Sequence, residues 1–336
     1  MKVYRNFVPN EQCKGLKTTI TLGTFDGVHI GHRYILDKVI SNTEKSTEQS
    51  AVVTFDRHPS SVIKPDSSPQ LLTTLDEKLK LFESTGIDLV FILSFTKQFS
   101  EMSPELFVKN YLVYCMGMSH FVIGYDHNFG KERRGSIDIF KELSQKYNFT
   151  LEIQKPVTCN EMTVKSSTIR KKLLEGNVNI ASALLGEDYS FRGSVVKGYG
   201  IGKKIGIPTA NIAAADHEKI IPSNGVYAGW IKFDNQKKEA VLCIGTRPTF
   251  GKTDETIEVH IPEFKGDLYG KEVRIGFKRK LRNIEDFGNE QALVKQIKND
   301  IEDLKTTSHS TIFKEGDKST NGNYERTKKS VCISIR

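Results

Sequence analysis

The sequence predicts two domains of different class: an α/β domain with a doubly wound parallel sheet, then a small antiparallel β-barrel with a C-terminal helix. Three observations predict it. Between about residues 19 and 155, short apolar runs alternate with segments of helical periodicity. After about residue 190 the pattern becomes period-two strands separated by glycine-rich turns. A chain of 336 residues also exceeds what one core ordinarily organises, about 100–200 residues. The boundary is expected between about 175 and 190, giving domains over 1–184 and 185–305 and a polar tail over 306–336 without regular structure.

In chain order, Thr19 to Gly23 reads as a strand, followed by a helix from near Gly31 with Ile35, Leu36, Val39 and Ile40 at helical spacing. Ala51 to Phe55 is the second strand. Thr74-Leu75-Asp76-Glu77 has the capping-box form and opens a helix with Leu79 and Phe82 inward, followed by the apolar strand Leu89 to Leu93. Ser103-Pro104-Glu105 supplies a cap, a proline at the first helical position and an acid in the first turn, for a helix carrying Leu106, Tyr111 and Leu112. Phe121 to Gly124 is the next strand. In the second domain the strands are Gly193 to Lys197, Val226 to Phe233, Val241 to Gly245, Thr256 to Ile261 and Lys271 to Phe277, with a turn over Gly266 to Gly270. A helix over about 285–304 presents Leu293, Ile297, Ile301 and Leu304 on one face.

Composition narrows the function classes. No apolar run approaches the roughly 20 residues of a membrane helix, and the N-terminus has no apolar core with a small-residue cleavage site, so the cytosol is the expected compartment. Five widely spaced cysteines without a C-x-x-C pair imply neither a disulfide framework nor a zinc site. The formal charge is +8, but residues 305–336 alone hold seven Lys/Arg against three Asp/Glu. The remaining excess suits a chain that handles phosphate, and neither a membrane nor a nucleic acid is an expected partner.

The first chemical signal is Gly23-Thr24-Phe25-Asp26-Gly27-Val28-His29-Ile30-Gly31-His32, where the first strand ends and the first helix begins. Glycines let backbone approach phosphate, and a helix N-terminus offers unpaired N–H groups. Histidines three apart can point from one turn at the same phosphates. Nucleotidyl transfer needs no enzyme nucleophile, only positioning and stabilisation of spreading negative charge, which two imidazole donors can give. A second signal, Gly193 to Asn211, is dense in glycine and lysine but contains no G-x-x-x-x-G-K-[ST]. It reads as a strand, a glycine flap over phosphates and a rigid turn Pro208-Thr209-Ala210-Asn211. In Thr256 to Ile261 the aliphatics share one face, so Glu258 and His260 share the other.

Together these blocks resemble the bacterial bifunctional riboflavin kinase/FAD synthetase family, whose first domain is an H-x-G-H nucleotidyltransferase; the likeness runs over about residues 15–304. The resemblance implies phosphorylation of riboflavin to FMN by the C-terminal barrel and adenylylation of FMN to FAD by the N-terminal domain, with ATP as co-substrate and Mg²⁺. By the same resemblance His29, His32, Asp126 and Glu258 are catalytic, Glu258 being the base that takes the ribityl hydroxyl proton. Gly23, Phe25, Asp26, Gly27 and Gly31 are expected at ATP phosphates, with Ser166, Ser167, Thr168 and Arg170 of Lys165-Ser166-Ser167-Thr168-Ile169-Arg170. Gly198, Gly200 and Lys203 of the flap join them. Thr209 and Asn211 offer oxygens to the metal. Phe55, His58, Pro59, Phe129, Arg247 and Arg282 are expected at the flavin. Arg57, His127 and Cys243 depart from the family pattern, which commonly has proline, an aromatic residue and asparagine there.

Two other readings stay open from the residues alone. One keeps only the adenylylation, with the barrel reduced to flavin binding; the other is a flavin- or RNA-binding regulator with the fold but no catalysis. The Ser166 to Arg170 block taken by itself reads equally as a helix cap.

Overall fold

The computed structural model describes residues 1–7, 9, 15–127, 137–198, 202, 205–249, 252–307 and 333–335; at 246–249, 252–255, 306–307 and 333–335 it describes the backbone alone. Packing divides the chain into two compact units, Met1–Ser166 with Ile333–Arg336, and Ser167–Cys332.

The first unit is built on strands β1 (Lys2–Tyr4), β2 (Thr18–Leu22), β3 (Gln49–Phe55), β4 (Leu89–Leu93), β5 (Met118–Gly124) and β6 (Thr150–Gln154). They form one sheet in the order β1-β4-β3-β2-β5-β6, every neighbouring pair parallel. A parallel sheet covered on both faces buries its strands completely, and LVFIL in β4 is buried at every position. Alternation assigns the two cores: Leu89, Phe91 and Leu93 enter one cluster with Ala51, Val53 and Phe55, while Val90 and Ile92 enter the other with Val52 and Val122.

The helices of this unit are α1 (Ile30–Asn42), α2 (Pro59–Ile63), α3 (Leu75–Thr85), α4 (Lys97–Ser100), α5 (Pro104–Phe107) and α6 (Ile137–Tyr147). The capping box opening α3 is complete: Glu77 N–H donates to Thr74 Oγ1 and Thr74 N–H donates to Glu77 Oε2. Ser103 caps α5 as the sequence reads, but the chain continues from Val108 to Cys115 as a π-helical stretch. A wider turn changes which residues face inward; Leu106 is exposed, while Phe107, Val108 and Leu112 are buried. A hairpin of β7 (Val157–Cys159) and β8 (Met162–Thr163) closes the unit. Its outer edge pairs antiparallel with Ile333–Ile335, a short strand in the segment expected to lack one.

The second unit opens with α7 (Ser166–Leu174, from the unit's first residue, Ser167) and α8 (Val178–Leu185), and α8 packs on the barrel. The barrel strands are β9 (Ser190–Val196), β10 (Ala210–Ala214), β11 (Gly225–Phe233), β12 (Gln236–Thr249), β13 (Lys252–His260) and β14 (Glu272–Arg282). They close in the order β10-β13-β12-β11-β14-β9, each pair antiparallel. Closure leaves no sheet edge, and it needs β10, which the sequence reading treats as a turn. Ala210 and Asn211 therefore enter a strand, and only Pro208 and Thr209 precede it. The helix Glu290–Thr307 covers part of the barrel's outer face, where Leu304 and Ile301 meet Val226, Ala228 and Val241.

Candidate active sites

In the first unit the chain leaves β2 toward β3 on one side, and β5 later fills the other side, so the carboxyl end of β2 is the topological switch point where ligands of open α/β sheets bind. The H-x-G-H loop lies there. It is strained: Phe25 (φ 49°) and Val28 (φ 37°) are left-handed, a conformation costly for a β-branched residue. Burial of both side chains offsets the strain, Phe25 at 2% and Val28 at 0% exposure. Hydrogen bonds hold the loop as well. Asp26 accepts from Leu72 N–H, Thr73 N–H and Thr73 Oγ1, and Gly27 N–H donates to Thr73 Oγ1 at 2.9 Å. Asp26 is 3% exposed, and its carboxylate fastens the loop.

His29 caps α1, its Nδ1 accepting from His32 N–H at 3.2 Å. An accepting Nδ1 is unprotonated, so the neutral ring carries its proton on Nε2. The two imidazoles stack with centroids 3.6 Å apart, and a methyl on Gly31 would stand 3.3 Å from His29 Nδ1. Burial holds His32 well below the ordinary histidine range, and the neighbouring charges of His29 and Lys78 push the same way. His32 is therefore neutral at neutral pH, and the cap bond of His29 engages Nδ1 rather than Nε2–H. Phe25 packs edge-on to His32, with centroids 5.0 Å apart. Gly23 precedes this turn, and Ser166 Oγ donates to Asp26 O at 2.9 Å, tying the start of α7 to the loop. Ser167, Thr168 and Arg170 follow on α7.

Sequence reasoning missed Lys78. It stands at the fourth residue of α3, on the face of Leu75, Leu79 and Phe82, and its Nζ donates to Thr54 Oγ1 at 3.4 Å. Burial lowers its pKa to about 8 against the opposing pull of Asp26 and Asp56. It lines a small pocket with Thr24, Asp26, Asp56, Arg57, His58 and Thr73. The capping box, which fixes the phase of α3, is the signal that could have found it.

Of the residues expected at a flavin, His58 caps α2 by accepting from Ser60 N–H, and Pro59 takes the first helical position. Phe55 does not face the site: it is 5% exposed and packs edge-on to Phe95 and Phe99, because alternation along β3 turns it into the core. Asp126 follows β5 and pairs with Lys165 at 3.1 Å, which brings the segment after β5 to the segment after the hairpin. Phe129 lies outside the described residues. His127 is wedged against Phe121 and Phe140, and burial lowers its pKa to about 4.

In the second unit, cross-strand register builds the site. Asn211 pairs with Glu258, Glu258 with Cys243 and Cys243 with Val226. Directly opposed residues share a face, and Val226 packs under the C-terminal helix, so the row lies on the barrel's outer face. Thr209 Oγ1 donates to Glu258 Oε2 at 3.0 Å. Thr209, Asn211 and Glu258 thus assemble hydroxyl, amide and carboxylate oxygens, the donors a hard divalent cation takes. The flap lies against them: a methyl on Gly198 would stand 2.0 Å from Asn211 Nδ2, and one on Gly202 would stand 3.1 Å from Thr209 Oγ1. These gaps exist because glycine leaves them open. Gly200, Lys203 and the side chain of Arg247 lie outside the described residues. Arg282, expected at the flavin, is committed elsewhere: its Nε and Nη2 donate to Asp300 and its Nη1 donates to Asn283 O, which anchors the C-terminal helix. Asp300 is 2% exposed, and a buried carboxylate requires such a partner.

Comparison with known proteins finds two family matches in series. Residues 12–168 match the family described as FAD synthetase and residues 185–308 the family described as riboflavin kinase. The bifunctional riboflavin kinase/FMN adenylyltransferase of Buchnera aphidicola subsp. Schizaphis graminum is 36% identical over 293 residues, covering 86% of this chain and 93% of its own. That of Listeria monocytogenes is 32% identical over 302 residues, covering 89% and 95%. A crystal structure from Streptococcus pneumoniae, described as a macrolide-efflux protein, superposes with a TM-score of 0.82 over 91% of this chain and 99% of that one, at 27% identity. Among the described residues here, no helix is long and apolar enough to cross a membrane. With both family matches in series and relatives aligned along most of their length, the chain belongs to the bifunctional riboflavin kinase/FMN adenylyltransferase family.

Proposed function

We infer that this chain makes FAD from riboflavin in two ATP-dependent steps. At the barrel, the ribityl hydroxyl attacks the γ-phosphate of ATP to give FMN and ADP; at the switch point, the FMN phosphate attacks the α-phosphorus of a second ATP to give FAD and pyrophosphate. The observation that carries the reading is that both phosphate-handling constellations are intact in one chain, the stacked His29–His32 pair and the Thr209–Glu258 hydrogen bond beside Asn211.

In the kinase step Glu258 takes the proton of the attacking hydroxyl. Thr209 and Asn211 would hold Mg²⁺, which when bound neutralises phosphate charge. The glycine flap closes over the triphosphate, and its main chain approaches Thr209 and Asn211 because no side chain intervenes. In the transfer step His29 and His32 donate to phosphate oxygens as charge spreads, while the amino end of α1 adds its dipole. No imidazole need lose a proton, because the attacking phosphate is already an oxyanion. Gly23, Gly27 and Gly31 give phosphate access to this turn, with Ser166 beside it; for Ser167, Thr168 and Arg170 the sequence block alone supports a role at the leaving pyrophosphate. Asp126 orients Lys165 beside them, and His58 and Pro59 border the flavin. We assign adenylylation to 1–184 and phosphorylation to 185–305, with 306–336 outside both. Use of ATP in both steps suits the cytoplasm.

Incubation with riboflavin, ATP and Mg²⁺, followed by chromatography of the flavins, tests the reading. Transient FMN followed by FAD is expected. Conversion of added FMN but not of riboflavin removes the kinase step, and unchanged flavins remove both.

A further inference from the structure

One polar side chain beside the kinase site has no part in the scheme above. His260 shares the outer face of β13 with Glu258, two residues away. Its Nδ1 stands 2.9 Å from the carbonyl oxygen of Pro208. A carbonyl only accepts, so Nδ1 carries the proton in the neutral ring, as it does in the imidazolium.

The position of that carbonyl matters. The ladder between β10 and β13 begins at Ala210, opposite Val259, so Pro208 and Thr209 lie ahead of its first pair. Pro208 has no N–H, and its carbonyl is the one main-chain group by which it can be held. β13 thus grips this approach at two points: His260 holds the peptide just before Thr209, and Glu258 accepts from the Thr209 hydroxyl at 3.0 Å. The approach runs from Ile207, whose N–H donates to Gly202 O, to the ladder residue Ala210. Without the first grip it keeps only the Thr209 hydroxyl as a side-chain bond among the described contacts. That hydroxyl is the group that must leave Glu258 or share it when the phosphates and their cation arrive.

We propose that His260 is a positioning residue of the kinase site, whose Nδ1–H bond to Pro208 fixes the peptide carrying Thr209 so that Thr209 and Asn211 present their oxygens together. The inference rests on the flavokinase reading above. Asparagine, whose amide N–H can replace Nδ1–H, should substitute for His260; alanine cannot.

The test uses the full chain as wild type, His260→Ala and His260→Asn. Riboflavin phosphorylation is followed against Mg²⁺ concentration, ADP binding is measured by calorimetry with and without Mg²⁺, and FMN adenylylation and thermal unfolding serve as controls. For His260→Ala the expected result is a loss of about five- to tenfold in kinase kcat/KM for ATP, the worth of about one hydrogen bond. The Mg²⁺-dependent gain in ADP affinity should shrink by a similar factor. Mg²⁺-free ADP binding and adenylylation should stay within about twofold of wild type, and His260→Asn should recover most of the loss. Wild-type values for His260→Ala would overturn the inference. So would equal losses in both variants accompanied by a lower unfolding temperature, because the residue would then be structural only. If wild type makes no FMN from riboflavin, the flavokinase reading fails and the inference falls with it; an active wild type matched by His260→Ala sinks the inference alone.

Discussion

The two candidate sites of this chain are built by opposite means. The N-terminal site is a strained loop at a sheet's switch point that carries a stacked imidazole pair, of which His32 is held well below the ordinary histidine range by burial. The C-terminal site is a row of oxygen-bearing side chains on consecutive barrel strands, set by ladder register and approached by Gly198 and Gly202. On the proposed function, the first site stabilises spreading charge without taking a proton from the attacking phosphate, and the second takes a proton from a hydroxyl, work suited to a carboxylate on a rigid strand. The difference also shows in what supports each site. Buried contacts to Asp26 over-determine the loop, whereas the strand site needs only closure of the barrel and a few clamps at its edge.

The sharpest way to break the comparison is to disable one site and watch the other. Replacing His29 and His32 together by alanine should lower FAD formation from FMN about 10³-fold or more, since removing one preorganised donor already costs about 10²–10³. FMN formation from riboflavin should be unaltered; a parallel loss of both would show that the sites are not separable. Glu258→Gln should do the converse, reducing riboflavin phosphorylation by about 10³-fold, within the range for a general base. Survival of FMN production in that variant would remove Glu258 from the proton transfer.

A smaller effect should appear in stability. Asp300→Ala leaves Arg282 without its buried partner, and breaking such a pair costs about 3 kcal/mol or more. Kinase activity should fail at lower temperature than in wild type while adenylylation persists; simultaneous failure would mean that the two units unfold as one.

The least of these effects concerns pH. The pKa of His127 is about 4 in the fold, below that of an unfolded histidine, so the unfolded chain binds the extra proton and stability falls as pH drops from about 6.5 toward 4. Between about pH 6.5 and 5 that amounts to about 2 kcal/mol from this residue. His127→Phe should flatten the acid side of the adenylylation unit's denaturation curve; an unchanged slope would place the titration elsewhere.

Most of the site was legible because its chemistry is local. Histidines three apart at a strand-to-helix junction, and Glu258 alternating with aliphatic residues, are patterns within ten residues of chain. Lys78 and Thr73 were not legible as parts of the first site, because about fifty residues separate them from the loop they support and only the folding of α3 beside β3 brings them in. Asp26, Phe55 and Arg282 were legible as residues but not as contacts. A carboxylate, a ring and a guanidinium each have a structural use equal to the functional one, and packing chooses between them.

By itself, then, the sequence determined the two fold classes, the start of α3 and the identities of the histidine pair, the flap and the E-V-H strand. Periodicity, capping and short-range spacing are properties of neighbouring residues. The tertiary structure alone decided that residues 210–214 form the strand that closes the barrel, that Asn211, Glu258 and Cys243 align in one row, and that the carboxylate of Asp26 turns inward. Register and burial are set by partners distant in the chain, and the free energy that selects them is that of the whole packed unit.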